Sequence, residues 1–234
     1  MVDVGKTKLA RTLKTHMKRV GCIINVSPAE VLTGSKDFSI SLSDLRVKNS
    51  KVLTVLAHHY EVCGLSQQQN SIASSDSAGR LNIWDLRKSQ PFSSRRLFSA
   101  AVKALDWCPW KHGLLALGGG SKDPRIVLWN APDEEAKQTI KGQSQVTALR
   151  WREQERELVT AHGSGLGVVW DTEKCERKAE LVGHRGRIVA LAGTEEGIWT
   201  LGSDETLRGW KLKREKAEEK ASEKEESLAD FRLK

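Results

Sequence analysis

A tryptophan returns along this chain at a near-constant spacing. Ile83-Trp84-Asp85, Leu128-Trp129-Asn130, Val169-Trp170-Asp171 and Gly209-Trp210-Lys211 place the ring at intervals of 45, 41 and 40 residues. A self-similar period of about 40–45 residues marks a stack of like supersecondary units. One unit of four short antiparallel strands cannot bury both of its faces alone and must pack on its neighbours. The expected fold is all-β, a β-propeller, and the expected product of that fold is a recognition surface.

Each repeat opens with an inner strand that is apolar at its first and fourth positions: Val20/Ile23, Val62/Leu65, Val102/Leu105, Val146/Leu149 and Ile188/Leu191. Trp107 and Trp151 extend two of them, and Val/Ile enrichment suits a buried, pleated strand. Second strands are expected at Val31–Ser35, Ser71–Ser75, Leu114–Leu117, Glu157–Ala161 and Gly197–Gly202, with Gly, Ser, Asp and Asn in the turns that follow. The third strand carries the Trp, whose frequent Asp neighbour makes the unit a WD repeat. Residues 1–212 read as a partial propeller with blades at roughly 19–46, 58–87, 99–131, 142–172 and 183–212, and residues 213–234 as a charged tail or frayed helix. The tail pairs Lys211 with Glu215, Arg214 with Glu218, Lys216 with Glu219 and Lys220 with Glu223. Each base precedes its acid, the less favourable order on a helix.

The last repeat is the best preserved. His184, Thr200, Asp204 and Trp210 read as a buried hydrogen-bonded set, in which carboxylate, imidazole and indole satisfy one another. The set imitates a catalytic triad, but no nucleophile elbow accompanies it and each member fills a repeat position. Other copies look eroded: Ser43 stands in the Trp position of the first repeat and Ala78 in the Asp position of the second. One period further back, Val2-Asp3 falls at a Trp-Asp position, so Lys8–Leu13 reads as an outer strand. Two architectures stay open: a truncated seven-bladed propeller, or a five-bladed ring closed by Lys8–Leu13 against the last blade.

The chain has 38 Lys+Arg against 30 Asp+Glu, but six of those cations and one acid lie before residue 20. No aromatics interleave with them, as a single-strand nucleic-acid binder needs, so nucleic acid is not expected as a partner. Neither is a membrane, since no run of about 18 apolar residues occurs. Cys22, Cys63, Cys108 and Cys175 form no C-x-x-C pair, which argues against zinc. Cys22 and Cys63 read as matching positions in two inner strands, and buried reduced thiols imply a nuclear or cytosolic setting. No cofactor is expected. There is no P-loop, no G-x-S-x-G and no H-E-x-x-H; no Lys-Ser/Thr helix follows Gly118-Gly119-Gly120. His58-His59 is discounted as a metal pair because neighbours on a strand point to opposite faces.

Several stretches are more specific than a generic repeat. They are Glu61-Val62-Cys63-Gly64-Leu65, the run Ala101 to Trp110 with its Cys108-Pro109-Trp110, Gly142-Gln143-Ser144-Gln145-Val146, Ala161-His162-Gly163, and Asp204-Glu205-Thr206-Leu207-Arg208-Gly209-Trp210. In this order and spacing the chain resembles the Fizzy and Fizzy-related activators of the anaphase-promoting complex, over nearly all of residues 1–212. The resemblance implies a non-catalytic co-activator of a ubiquitin ligase in the nucleus and cytoplasm. Its implied partners are ligase subunits, degron-bearing substrates and spindle-checkpoint proteins. It implies that Glu205 takes the arginine of a destruction box, a pairing that a carboxylate makes bidentately. It implies that Arg187 meets the glutamate of a KEN motif. Ser77 stands where the family has an asparagine, which weakens KEN recognition. The family's N-terminal docking box and first blade have no counterpart in these residues, and Leu233-Lys234 replaces its terminal Ile-Arg. A reduced WD-repeat scaffold that no longer activates the ligase is the alternative.

Overall fold

A computed structural model describes residues 12–47, 51–85, 87–88, 90–194 and 197–212. Val2-Asp3, most of Lys8–Leu13 and the charged tail fall outside them. Among the described residues five antiparallel sheets follow one another. The first blade is β1 (Val20–Ser27), β2 (Glu30–Ser35), β3 (Ser39–Asp44) and β4 (Lys51–Leu56), and the second is β5 (Val62–Gln68), β6 (Ser71–Asp76), β7 (Arg80–Asp85) and β8 (Ser93–Arg96). The third is β9 (Val102–Trp107), β10 (Leu114–Gly119), β11 (Arg125–Asn130) and β12 (Glu135–Lys141). The fourth is β13 (Val146–Arg152), β14 (Glu157–His162), β15 (Gly167–Asp171) and β16 (Glu176–Leu181). The last is β17 (Ile188–Thr194), β18 (Gly197–Gly202) and β19 (Leu207–Trp210). Within each sheet strands pair strictly with their chain neighbours, so every connection inside a blade is a local hairpin. This is a WD-repeat β-propeller arc of five blades.

Blades stack through their inner strands: β1 on β5, β5 on β9, β9 on β13, and β13 on β17. The apolar pairs read from the sequence make these contacts. Val62, Val102, Val146 and Ile188 are almost fully buried. Each rests on a small residue of the preceding blade. A Cβ on Gly34 would lie 2.6 Å from the Val62 side chain, and one on Gly118 would lie 2.4 Å from that of Val146. The Ser75 hydroxyl donates to the Val102 carbonyl at 2.7 Å. Because the third and fourth blades are sandwiched between neighbours, their second strands β10 and β14 are buried on both faces.

Among the described residues the outer strands pair on one edge only, and three of them are polar: Ser-Ser-Arg-Arg, Glu-Ala-Lys-Gln-Thr-Ile-Lys and Glu-Arg-Lys-Ala-Glu-Leu. Charge on an edge discourages pairing with other chains. β4 differs, reading Lys-Val-Leu-Thr-Val-Leu with Val52, Leu53 and Leu56 exposed.

The four cysteines are free. Cys22 and Cys63 do not take matching places. Cys22 pairs with Gly34 as Gly64 does with Ser75, whereas Cys63 sits in the irregularity between Val62 and Gly64. Burial and the neighbouring thiol push Cys22 up to about 12, and burial with Glu61 pushes Cys63 up to about 11. Both are therefore poor nucleophiles.

Candidate functional site: the rim where inner strands begin

The meander places each loop into an inner strand at the same end of the blade as the turn between its second and third strands. Both kinds of segment line one rim of the arc. A repeated hydrogen bond joins them: Lys36, Ser77, Gly163 and Ser203 donate their N–H to the carbonyls of Arg19, Glu61, Gln145 and Arg187 at 2.9, 3.0, 2.8 and 2.8 Å.

The rim is stiffened from below by polar networks. In the last blade Trp210 Nε1–H donates to Thr200 Oγ1 at 2.8 Å, and Thr200 lies 2.8 Å from His184 Nε2. His184 Nδ1 lies 3.0 Å from Asp204 Oδ1. A hydroxyl that accepts from Trp210 and donates to Nε2 leaves the imidazole proton on Nδ1, facing the carboxylate. Thr200 is fully buried, so its oxygen meets no substrate. Asp204 also takes the N–H of Arg185 at 2.9 Å, and that bond, followed by His184 and Thr206, holds its carboxyl well below the usual range.

The second blade is not eroded as the sequence suggested. Asp76, not the Ala78 position, completes its network: Trp84 Nε1–H to Ser74 Oγ at 2.7 Å, Ser74 to His58 Nε2 at 2.8 Å, and His58 Nδ1 to Asp76 Oδ2 at 3.0 Å. His58 belongs to a loop rather than a strand, so its separation from His59 is not an alternation of strand faces. Burial raises the Asp76 carboxyl, but His58 and the N–H groups of Arg80 and Ala78 outweigh it and the net shift is downward. In the first blade His16 meets Thr33 at 2.8 Å and Asp37 at 3.2 Å, and Ser43, in the Trp position, leaves its buried hydroxyl without a described partner.

One position explains the variation. The turns span 35–39, 76–80, 162–166 and 202–206, and their first residue faces the network. Gly202 leaves the space open: a Cβ there would lie 2.3 Å from both Asp204 Oδ1 and His184 Nδ1. Asp76 fills that space with its own carboxylate. His162 fills it with its own imidazole, whose Nε2 meets Thr160 at 2.9 Å while Trp170 Nε1–H donates to Thr160 at 2.8 Å. The third blade is apolar instead. Leu117 lies opposite Val127 where the other blades have a hydroxyl residue, Phe98 stands in the imidazole position, and Trp129 Nε1 has no described partner.

On this scaffold Glu205 occupies the fourth turn position and is exposed, with φ of 62°. Gly79 and Gly165 fill the same position at φ of 85° and 88°, so the turn demands a left-handed residue. A glutamate held there accepts backbone strain and presents a carboxylate at the rim. Arg187 shares that rim. Its guanidinium donates to the neutral Gln145 side chain of the fourth blade. Its counterpart Arg19 instead pairs with Glu61 across the first two blades at 2.5 Å. Ser77 lies on the same rim but in the second blade, three blades away, and in the second turn position rather than the fourth. The structure thus brings Arg187 and Glu205 together on one blade and leaves Ser77 apart. Among the described residues no group of three or more His, Cys, Asp or Glu could hold a metal ion.

The chain is 36% identical over 219 residues to the anaphase-promoting complex subunit cdc20 of Dictyostelium discoideum, covering 90% of this chain and 44% of that protein. It is 37% identical over 216 residues to Protein FIZZY-RELATED 2 of Arabidopsis thaliana, covering 90% and 44%. It is 34% identical over 216 residues to the APC/C activator protein CDH1 of Saccharomyces cerevisiae, covering 90% and 38%. The chain therefore spans less than half the length of these curated relatives. In the crystal structure of the mitotic checkpoint complex, one chain matches it with a TM-score of 0.83 at 32% identity, over 88% of this chain and 65% of that one. No family model matches the chain.

Proposed function

The chain belongs to the Cdc20 and Fizzy-related family of WD-repeat proteins, and we propose that it serves as a non-catalytic, substrate-recognising co-activator of the anaphase-promoting complex. Its partners are then ligase subunits, degron-bearing proteins and spindle-checkpoint proteins, and it works in the nucleus and cytoplasm. The observation that carries the reading is Glu205, an exposed carboxylate fixed at a strained turn directly after the networked Asp204. Such a group takes the guanidinium of an extended peptide, while Arg187 offers a cation to an acidic residue nearby.

A peptide bearing a destruction-box arginine, titrated by fluorescence anisotropy, tests the assignment. A charge-assisted hydrogen bond is worth about 1.5–3 kcal/mol, so Glu205→Arg should weaken binding by roughly 10- to 100-fold. Unchanged affinity removes Glu205 from the site. Ser77, with no side-chain amide to offer at the rim, favours a second reading as a scaffold that binds proteins without activating the ligase. Capture of ligase subunits by the full chain decides for the first reading, and their absence beside other stable partners decides for the second.

A further inference from the structure

The four stacking contacts share one geometry, and the two end faces of the arc depart from it. In every contact the first apolar residue of an inner strand enters a socket whose floor is small. Val62 enters above Gly34, Val102 above Ser75, Val146 above Gly118 and Ile188 above Ala161. On β14, Ala161 lies opposite Gly167 of β15, where the Leu181 side chain of the same blade stands 3.0 Å from the place of a Cβ. Among the described residues no strand covers the matching inner-strand residues of the first blade, Val20 and Ile23, which are 47% and 63% exposed. Were the face of the last blade built like the others, the arc would carry a knob at one end and a socket at the other. Such a head-to-tail pair either closes a ring or runs on as a filament.

The last face is not built like the others. The socket position, set by its pairing with β19, holds Leu201, opposite Leu207, and Leu201 is 42% exposed. The next position along β18 holds Trp199, opposite Gly209, where the other blades have Leu32, Ala73, Ala116 and Val159. The Trp199 ring lies over Gly209, with ring atoms 3.1 Å from where a Cβ would be. In the other blades the Gly209 position is Leu42, Ile83, Leu128 or Val169. Bulk has moved from the third strand to the second, and it fills the socket.

We propose that Leu201 and Trp199 block the stacking contact on the last blade, so that neither a blade of another copy nor the first blade of the same chain can seat there in the repeat's own geometry. The plug prevents head-to-tail assembly of an arc whose knob is exposed. This inference concerns packing and stands whether or not the rim captures degrons.

Sedimentation velocity on the full chain tests it. Trp199→Ala with Leu201→Ala and Gly209→Leu rebuilds an open socket. The rebuilt chain should form a concentration-dependent ladder of larger species that Val20→Asp abolishes, while the unaltered chain forms none. A rebuilt chain with intact circular dichroism that sediments like the unaltered one overturns the proposal. So does a Val20-dependent ladder in the unaltered chain. A reciprocal variant covers the case in which the rebuilt face fails to fold. Ala161→Leu puts the same side chain into an occupied socket and should detach the last blade, seen as faster proteolysis between residues 181 and 188. Unchanged proteolysis there also overturns it.

Discussion

Asp76 is the sharpest point at which to perturb the fold, because its carboxylate serves three donors. Its side chain is 1% exposed and takes His58 Nδ1–H at 3.0 Å on one oxygen. The other oxygen takes the N–H groups of Ala78 and Arg80, each at 2.9 Å. Asp76→Ala leaves all three without an acceptor. A buried donor left unpaired costs about 1–3 kcal/mol. His58 is buried and falls toward the upper end of that range, while the turn amides reach water and fall toward the lower end, which gives roughly 4 kcal/mol in total. Asp76→Asn keeps one acceptor oxygen, turns the other into a donor and loses the charge, so about half that loss is expected. Urea unfolding followed by tryptophan fluorescence measures the change, and hydrogen exchange in β6 and β7 localises it. A loss under about 1 kcal/mol would show that the network does not hold the blade.

Three further outcomes are expected. Trp170→Ala should cost about 3–5 kcal/mol as a buried large-to-small change, and Trp210→Ala, half-buried on the last blade, distinctly less; equal losses in parallel unfolding curves would contradict the packing. Burial holds His162 below its usual value, so below a pH of about 6.5 the unfolded chain binds a proton that the native one resists and stability falls; His162→Gln should flatten that limb of the pH profile. The depressed Asp76 contributes stability above the ordinary carboxylate value of about 3.9 that drains away as pH falls past it, and Asp76→Asn should remove that second acid limb.

Much of the architecture was legible because it rests on side chains of fixed type at fixed spacing. The Trp period and the Val/Leu pairs of the inner strands are packing requirements, and packing has little freedom in a stack of sheets. The outer strands were harder to read, since an edge needs only pairing and charge, which many sequences supply. The networks were legible only where the loop supplies His and the third turn position supplies Asp, as in the last blade. Asp76 and His162 reach the same space from the first turn position, so a template that looks for Asp at one spacing passes over them. Phe98 and Leu117 solve the same packing problem without polar atoms and leave no pattern at all. Glu205 was placed by resemblance, and its left-handed turn becomes visible only beside Gly79 and Gly165. The plug formed by Leu201 and Trp199 was missed because both read as ordinary strand residues. Only the pairing register shows that they stand where other blades keep smaller ones.

The outer strand of the first blade limits how long this protein stays dispersed at high concentration. Lys51-Val52-Leu53-Thr54-Val55-Leu56 is a hexapeptide with one charge, no proline and no glycine, open along its hydrogen-bonding edge, with Leu56 74% exposed. Segments of that composition template copies of themselves into dry stacks of strands. The lysines, arginines and glutamates that guard the other outer strands do nothing for this one, so insoluble material from this protein should be seeded there, one propeller against the side of the next.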